Sequence, residues 1–229
     1  MATKNNGQID PKRRIFEAAA ALFVNKGYSA IGVREIAKEA GVNIAMINYY
    51  FGGKSGILKD ILEDAFGKYY HAQASAGDNS TPPEERVRNL VANVVQFFRE
   101  NTTEALIFFN SAVLDIPELK GLKEKWSKMY SDLMLELFLQ MGVELKDPVH
   151  ASIYNGFLGG MIKNHFQYRY ELEKNKKTAE ACVEGDKKEL KHIEFDDLFY
   201  QRYVDLLVHQ YFHGVIYATQ KDKMKYGPK

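Results

Sequence analysis

The segment VREIAKEAGVNIAMINYYFGGK, residues 33–54, constrains the fold more than any other part of the chain. Apolar residues recur at helical spacing over residues 33–37, and Gly41 interrupts this pattern. Asn43 can cap a new helix, in which Ile47 begins a second apolar face. The pattern predicts two short helices joined by a tight turn. This is a helix-turn-helix, a motif whose second helix enters the DNA major groove.

Helical periodicity continues through the rest of the sequence. The predicted helices span about residues 10–26, 33–40, 44–51, 54–75, 83–98, 101–114, 118–141, 147–173 and 196–221. Asn101 followed by Glu104 resembles a capping box that would start the sixth helix. No segment alternates apolar and polar residues as a strand does, so the predicted fold class is all-α. Residues 174–195, rich in Lys and Glu, are predicted to form a mobile loop.

The formal net charge of +1 over 229 residues conceals an uneven distribution. Residues 1–60 contain nine Lys or Arg against five Asp or Glu, a net charge of +4, whereas the remainder carries a net charge of −3. The balanced total argues against a protein that coats nucleic acid or membrane by bulk electrostatics. The positive end contains the helix-turn-helix pattern, which is the polarity that binding to DNA phosphates requires.

Cysteine content and hydropathy bear on the cellular compartment. The single cysteine, Cys182, has no partner for an internal disulfide, and a reducing compartment is the simpler interpretation. The first residues, MATKNNGQIDPKRR, lack the apolar core of a secretory signal. No run of about 18 apolar residues predicts a membrane span. We therefore expect a cytoplasmic protein with no membrane partner, and no motif predicts a cofactor.

Three N-terminal motifs resemble the DNA-binding domain of the tetracycline-repressor (TetR) family of bacterial transcription regulators. They are the first-helix pattern RRIFEAAAALFVNKGY, the block VREIAKEAGV and the ending INYYFGGKSGIL. The resemblance implies a three-helix helix-turn-helix DNA-binding domain over residues 1–54. A long helix would join it to a ligand-binding and dimerisation domain over residues 55–229. It also implies a repressor that binds a palindromic double-stranded operator as a homodimer and is released by a small, largely apolar effector.

The resemblance places the DNA-contacting residues on the second and third helices and at the start of the fourth. The implied residues are Arg34, Asn43, Ile44, Ala45, Met46, Asn48, Tyr49, Tyr50 and Lys54. The guanidinium of Arg34 can pair with guanine, and the amide of Asn48 can pair with adenine. The side chains of Ala45 and Met46 can contact thymine methyl groups. We therefore expect base readout by few hydrogen bonds.

Phosphate contacts are expected at the end of the third helix and just beyond it. Tyr49 and Tyr50 resemble the family's phosphate-contacting pair, and Lys54 would add a positive charge. The alternative for Tyr49 is a wedge between the first and third helices. The sequence departs from the family pattern at Ile31 and Gly32, where hydroxyl side chains are common, and this removes two possible phosphate donors.

The resemblance implies dimerisation through the last two helices, and the small and apolar residues of these helices suit such an interface. The predicted interface residues are Ser152, Gly156, Gly159, Gly160, Phe166, Tyr211, Phe212 and Ile216. Each glycine in a helix costs about 1 kcal/mol relative to alanine, so a close contact should compensate. That contact is either a second copy of the chain or the fifth helix of the same copy.

Aromatic residues are concentrated in the middle helices with few polar companions. The simpler interpretation is that they form a hydrophobic core. The resemblance instead implies that some of them line an effector cavity, which has an apolar wall and a few orienting polar groups. The candidates for that cavity are Phe97, Phe108, Asn110, Trp126, Tyr130 and Tyr154.

Two other classes of protein compete with a regulator. His209 and His213 lie at positions i and i+4 of a helix and could ligate a metal in an enzyme. However, the intervening residues lack the glutamate of a zinc protease motif, and no nucleophile elbow or phosphate loop is present. The second alternative is a helical adaptor that retains the architecture without binding DNA. We expect a protein that is not an enzyme.

Overall fold

A computed structural model describes residues 10–78, 80–111, 114–140, 148–174 and 194–216. The regular elements in these ranges are α1 (Pro11–Lys26), α2 (Val33–Ala40), α3 (Ile44–Phe51), α4 (Lys54–Ala74), α5 (Pro83–Glu100), α6 (Thr102–Ser111), a 3-10 turn (Pro117–Leu119), α7 (Lys120–Gln140), α8 (Pro148–Lys174) and α9 (Asp197–Gln210), which continues as a π-helical turn (Tyr211–Ile216). The all-α prediction is confirmed for these residues. Residues 175–193, most of the segment predicted as a mobile loop, lie outside the described residues. None of the described helices combines the length and apolar character that a membrane crossing requires.

The described residues form two compact units. Unit 1 contains the described residues up to Lys68 together with Thr103–Ser127. Unit 2 contains residues 69–102 and the described residues from Lys128 onward. Unit 1 therefore includes most of α4 in addition to the three helices of the predicted DNA-binding domain.

Helix α1 supplies the surface on which the helix-turn-helix packs. Its start is fixed by the carboxylate of Asp10, which accepts a hydrogen bond from the Lys12 N–H at 3.2 Å, and by Pro11 at the first helical position. One face of α1 is buried through Ile15, Ala19 and Phe23. Both α2 and α3 pack against α1 and against each other, so the three helices share one small core.

Unit 2 is built around stacked aromatic rings contributed by α5, α8 and α9. The Phe166 ring lies between the rings of Phe98 and Tyr200, at centroid distances of 5.1 Å and 5.6 Å, and is stacked with both. Helix α5 packs on both α8 and α9. Ion pairs join α5 to α9 at the surface, one of them between Arg99 and Asp197 at 2.6 Å.

The capping-box interpretation of Asn101 is wrong. The Asn101 side chain donates from Nδ2 to the Phe97 carbonyl at 3.0 Å, and its backbone N–H donates to the same oxygen at 2.9 Å. Asn101 therefore ends α5, and its side-chain nitrogen faces back along that helix. The same residue types can serve either role, because a short polar side chain can reach the backbone on both sides of a helix boundary.

Candidate nucleic-acid interface

Local hydrogen bonds fix both ends of α3. The Asn43 side chain accepts a hydrogen bond from the Ala45 N–H at 2.8 Å, as a cap should. At the other end, Gly52 has φ +69° and donates its N–H to the Asn48 carbonyl at 2.9 Å. Gly41, with φ +62°, ends α2 in the same left-handed conformation. The two helices are thus joined by a tight turn, as the sequence predicts.

Helix α3 has one buried side and one exposed side. Ile47 and Phe51, at positions i and i+4, are 0% and 9% exposed and anchor the helix in the core of unit 1. The other side is exposed and includes Ile44, Ala45, Asn48 and Tyr49. A surface that presents apolar groups, an amide and a phenol along one short helix suits the edges of base pairs in a major groove.

Tyr49 is the most exposed large apolar side chain among the described residues, at 82%. This exposure contradicts the alternative in which its ring wedges between α1 and α3. Its ring contacts that of Tyr50 edge to face at a centroid distance of 5.0 Å, and Tyr50 is half-buried. Met46 is also half-buried. The rings of Tyr49 and Tyr50 thus support each other at the edge of the exposed face.

Arg34 and the turn before α3 flank this face. Arg34 is exposed, and the neighbouring Glu35 pairs with Lys26 at 2.6 Å. The guanidinium of Arg14 in α1 donates to the Gly41 carbonyl at 3.5 Å, which holds the turn against α1. Arg14 was not among the residues predicted from the sequence, because nothing in its local pattern separates it from a solvated arginine.

Lys54, at the start of α4, is half-buried. Its Nζ donates to the carbonyl oxygens of Ile31 at 2.8 Å and Tyr28 at 3.0 Å. The same nitrogen lies 4.1 Å from the centre of the Tyr28 ring. Burial, with a smaller effect from Glu118, raises the pKa of the Tyr28 phenol. The ammonium is therefore engaged inside unit 1, next to the loop between α1 and α2.

Gly56 is a second residue that sequence reasoning missed. A Cβ placed on Gly56 would lie 1.7 Å from the carbonyl oxygen of Phe51, the last residue of α3. The backbone of α4 therefore approaches the end of α3 so closely that only glycine fits. A glycine inside a predicted helix indicates a possible close contact, as it does for the glycines of α8, and this pattern could have identified Gly56.

The candidate effector residues fall in both units. In unit 1, the ring of Trp126 stacks on Phe66 at 4.6 Å, and Phe108 contacts both. Asn110, also in unit 1, is exposed. In unit 2, Phe97 is buried, and burial raises the pKa of the half-buried Tyr130 phenol. The side chain of Tyr154 lies outside the described residues. The role of these residues in effector binding stays a prediction.

Two of the predicted dimer residues are core residues. Phe166 and Tyr211 are 0% and 1% exposed, because they pack inside unit 2, and we remove them from the predicted dimer face. Ser152 and Gly156 are exposed, whereas Gly159, Gly160 and Phe212 are half-buried. The side chain of Ile216 lies outside the described residues. A Cβ added at any of the three α8 glycines would meet no described atom within 4 Å. Within the described part of one copy, no close contact compensates for these glycines.

The histidine pair of α9 and the following turn does form a contact. The rings of His209 and His213 lie 4.3 Å apart, and both side chains are exposed. Over the described ranges, no group of three or more His, Cys, Asp or Glu side chains is arranged to hold a metal ion.

The geometry of unit 1 defines a helix-turn-helix DNA-binding protein: a short capped helix, anchored on one side and exposed on the other, follows a tight turn. Residues 15–61 match the family model described as bacterial regulatory proteins of the tetR family. Residues 15–61 are therefore similar to this family of transcription regulators, and the resemblance seen in the three motifs is confirmed over these residues.

Curated relatives agree with this assignment. The chain is 25% identical over 142 residues to the probable HTH-type transcriptional regulator YttP of Bacillus subtilis, covering 61% of this chain and 68% of that protein. It is 30% identical over 103 residues to the HTH-type transcriptional repressor NicS of Pseudomonas putida, covering 43% of this chain and 49% of that protein. It therefore spans about half the length of NicS.

Solved structures share the fold over most of the chain. AibR, in complex with isovaleryl coenzyme A and operator DNA, matches with a TM-score of 0.62 and 18% identity, covering 87% of this chain and 98% of that chain. The fatty acid degradation regulator FadR from Bacillus halodurans matches with a TM-score of 0.56 and 19% identity, covering 90% of this chain and 96% of that chain. At these identities the likeness shows the fold alone.

Proposed function

We propose that this protein is a ligand-responsive transcriptional repressor that binds a palindromic operator as a homodimer through the exposed face of α3. The observation that supports this proposal most strongly is the exposure of one face of α3. That face presents Ile44, Ala45, Asn48 and the 82% exposed Tyr49, while Ile47 anchors the helix. Exposing large apolar side chains to water is unfavourable, so their outward placement on the helix that follows the turn fits a contact surface for DNA.

Dimerisation is supported by the size of α3 and by exposed apolar side chains in unit 2. A helix of eight residues reaches too few base pairs to specify a site, so a second copy is needed. On α8, Met161 and Tyr168 are 42% and 53% exposed, seven residues apart and so on one face. On α9, Leu198 and Leu206 are both 61% exposed, eight residues apart. These two faces suit a four-helix interface between copies.

Repression and release by an effector are supported by the relatives. NicS is a transcriptional repressor by name, and AibR shares the fold and is seen with both an acyl coenzyme A and operator DNA. A ligand lowers DNA affinity if it binds better to the conformation in which the two α3 helices are misplaced. We propose a small, largely apolar effector, in keeping with the aromatic character of the candidate residues.

Footprinting on the DNA that flanks the gene tests the DNA-binding part of this proposal. The purified, folded protein should protect a two-fold symmetric site, with two protected half-sites about one helical turn apart or a multiple of it. Failure to bind any palindrome in this region, with folding verified by circular dichroism, would contradict the repressor assignment and favour the adaptor alternative.

The single tryptophan of the sequence offers a test of effector binding. Because Trp126 is stacked on Phe66, a ligand that disturbs this contact should change its fluorescence. A ligand found in this way should also weaken operator binding, whereas a ligand that changes the fluorescence without changing DNA affinity would not be the effector.

A further inference from the structure

The ammonium group of Lys54 is bound by the loop between α1 and α2. Two carbonyl oxygens, those of Tyr28 and Ile31, accept its hydrogen bonds at 3.0 Å and 2.8 Å. An ammonium has three N–H donors, so these carbonyls take two of them. The Tyr28 ring, 4.1 Å away, adds a cation–π contact, and it is itself supported by Phe23 at a centroid distance of 5.3 Å.

The backbone turn that contains Tyr28 and Ile31 places both carbonyl oxygens near the lysine. The Ile31 N–H donates to the Tyr28 carbonyl at 3.3 Å, which closes a turn, and the Ile31 side chain is 2% exposed in the core. The turn directs the carbonyls of Tyr28 and Ile31 to the same nitrogen. A carbonyl accepting from a charged donor gives a stronger hydrogen bond than one accepting from a neutral donor.

The Lys54 contact joins two points of the chain that flank the helix-turn-helix. The loop at Ile31 precedes α2, and Lys54 follows α3, so the contact joins the two ends of the helix-turn-helix segment. With both ends held, α2 and α3 cannot shift along α1 without breaking the contact. The close approach of Gly56 to the carbonyl of Phe51 lies on the same corner and restricts α3 further.

We propose that Lys54 is a positioning residue, which clamps the ends of the helix-turn-helix and so presents α3 to DNA, rather than a ligand of a DNA phosphate. The proposal rests on the DNA-binding function, and it replaces the expectation from the family pattern. A phosphate ligand would direct its ammonium to the DNA, whereas here the carbonyls of Tyr28 and Ile31 take two of its three donors.

The test uses Lys54→Met, which keeps the apolar stem and removes the ammonium. In the DNA-free protein, hydrogen exchange at the Ile31 amide should become at least about tenfold faster, because the turn loses two charged hydrogen bonds. Operator and non-specific DNA should both bind about tenfold more weakly. The slope of log affinity against log salt should stay at the wild-type value, because no phosphate contact is lost.

Two further variants separate the clamp from a charge effect. Lys59→Met removes a positive charge from an exposed position on the same helix and should leave exchange at Ile31 unchanged. Tyr28→Leu removes the ring but no charge, and it should reproduce both the faster exchange and the unchanged salt slope of Lys54→Met.

Either of two results would overturn the proposal. One is a salt slope for Lys54→Met that is smaller by about 0.9, the value for one phosphate contact. The other is unchanged exchange at the Ile31 amide in that variant. The exchange experiment needs no DNA, so its outcome is separate from a failure of the protein to bind an operator.

Discussion

Gly56 sets how closely α4 can follow α3. Because a Cβ at this position would overlap the Phe51 carbonyl, Gly56→Ala must displace either the end of α3 or the start of α4. We expect the variant to lose about 1–3 kcal/mol of unfolding free energy, the usual range for overpacking. Operator affinity should fall as well, since α3 carries the exposed face. Urea denaturation and fluorescence anisotropy measure the two effects.

Gly67→Ala is the matched control for that experiment. Gly67 lies on the same helix, and a Cβ there would meet no described atom within 4 Å. The helix should therefore gain about 1 kcal/mol from the higher propensity of alanine. Equal effects of the two substitutions would contradict the steric role of Gly56.

His165 is an imidazole enclosed by aromatic rings in unit 2. Its ring lies 4.6 Å from that of Tyr203 and 5.5 Å from that of Phe199. Burial, together with the positive charge of Arg169, lowers the pKa of His165 from 6.5 to about 4. The folded protein thus holds this histidine neutral at pH values where the unfolded chain would protonate it.

This difference predicts a pH-dependent stability. The unfolded state binds the proton near pH 6.5 and the folded state only near pH 4, so the unfolding free energy should decrease as pH falls through this window. Because the ring is only half-buried, we expect a loss on the order of 1 kcal/mol after allowance for solvent screening. Denaturation of wild type and His165→Phe at several pH values isolates the effect, since carboxylates titrate in both. The same pH dependence in both proteins would contradict it.

The N-cap residue of α3, Asn43, both caps the helix and is a proposed DNA contact. The Asn43 side chain accepts from the Ala45 N–H, and it lies exposed at the start of the helix that we propose contacts DNA. Aspartate caps a helix about as well as asparagine but brings a negative charge. Stability and DNA affinity can therefore be separated by a single substitution at this position.

We expect Asn43→Asp to leave the melting temperature near the wild-type value and to weaken binding to all DNA sequences, because the carboxylate repels phosphates. Asn43→Ser is the neutral control, which keeps a capping oxygen and should retain most of the affinity. Thermal unfolding and anisotropy titrations provide the two readouts. Unchanged affinity of Asn43→Asp would place this helix end away from the DNA backbone.

At the scale of the whole molecule, the proposed operator binding requires two copies of the chain to associate. Two helices of unit 2, α8 and α9, leave large apolar side chains exposed, and the three glycines of α8 have no close described neighbour. Exposed apolar side chains that come together in one patch mark an interaction surface. We therefore assign the proposed dimer face to these helices, without Phe166 and Tyr211.

Leu206→Glu tests this face. A carboxylate on a buried dimer surface is unpaired and costly, so the variant should sediment as a monomer and lose operator binding, with its fold retained. Leu139→Glu is the control, since Leu139 is a similarly exposed leucine at 57% on α7. A dimeric Leu206→Glu protein, or a monomeric Leu139→Glu protein, would move the interface away from α9.

The sequence by itself determined the helices, the turn and the start of an apolar face of α3 at Ile47. These follow from local signals: Asn43 and Asp10 cap helices, Gly41 and Gly52 end them, and apolar spacing marks one face of each helix. Such signals act within a few residues and do not depend on the rest of the fold, so the helix-turn-helix and its resemblance to the TetR family could be predicted.

Only the tertiary structure decided what covers each apolar face and which partner each charge finds. Phe166 and Tyr211 have the spacing of surface residues but are covered by rings from α5 and α8 of the same copy. Lys54 finds its partners 23 and 26 residues earlier in the chain. Glycine lowers helix propensity equally in α4 and α8, yet only Gly56 has a described backbone atom against it. The sequence shows which face of a helix is apolar and where the charged residues are. Which groups pack against that face or pair with those charges depends on contacts between distant segments.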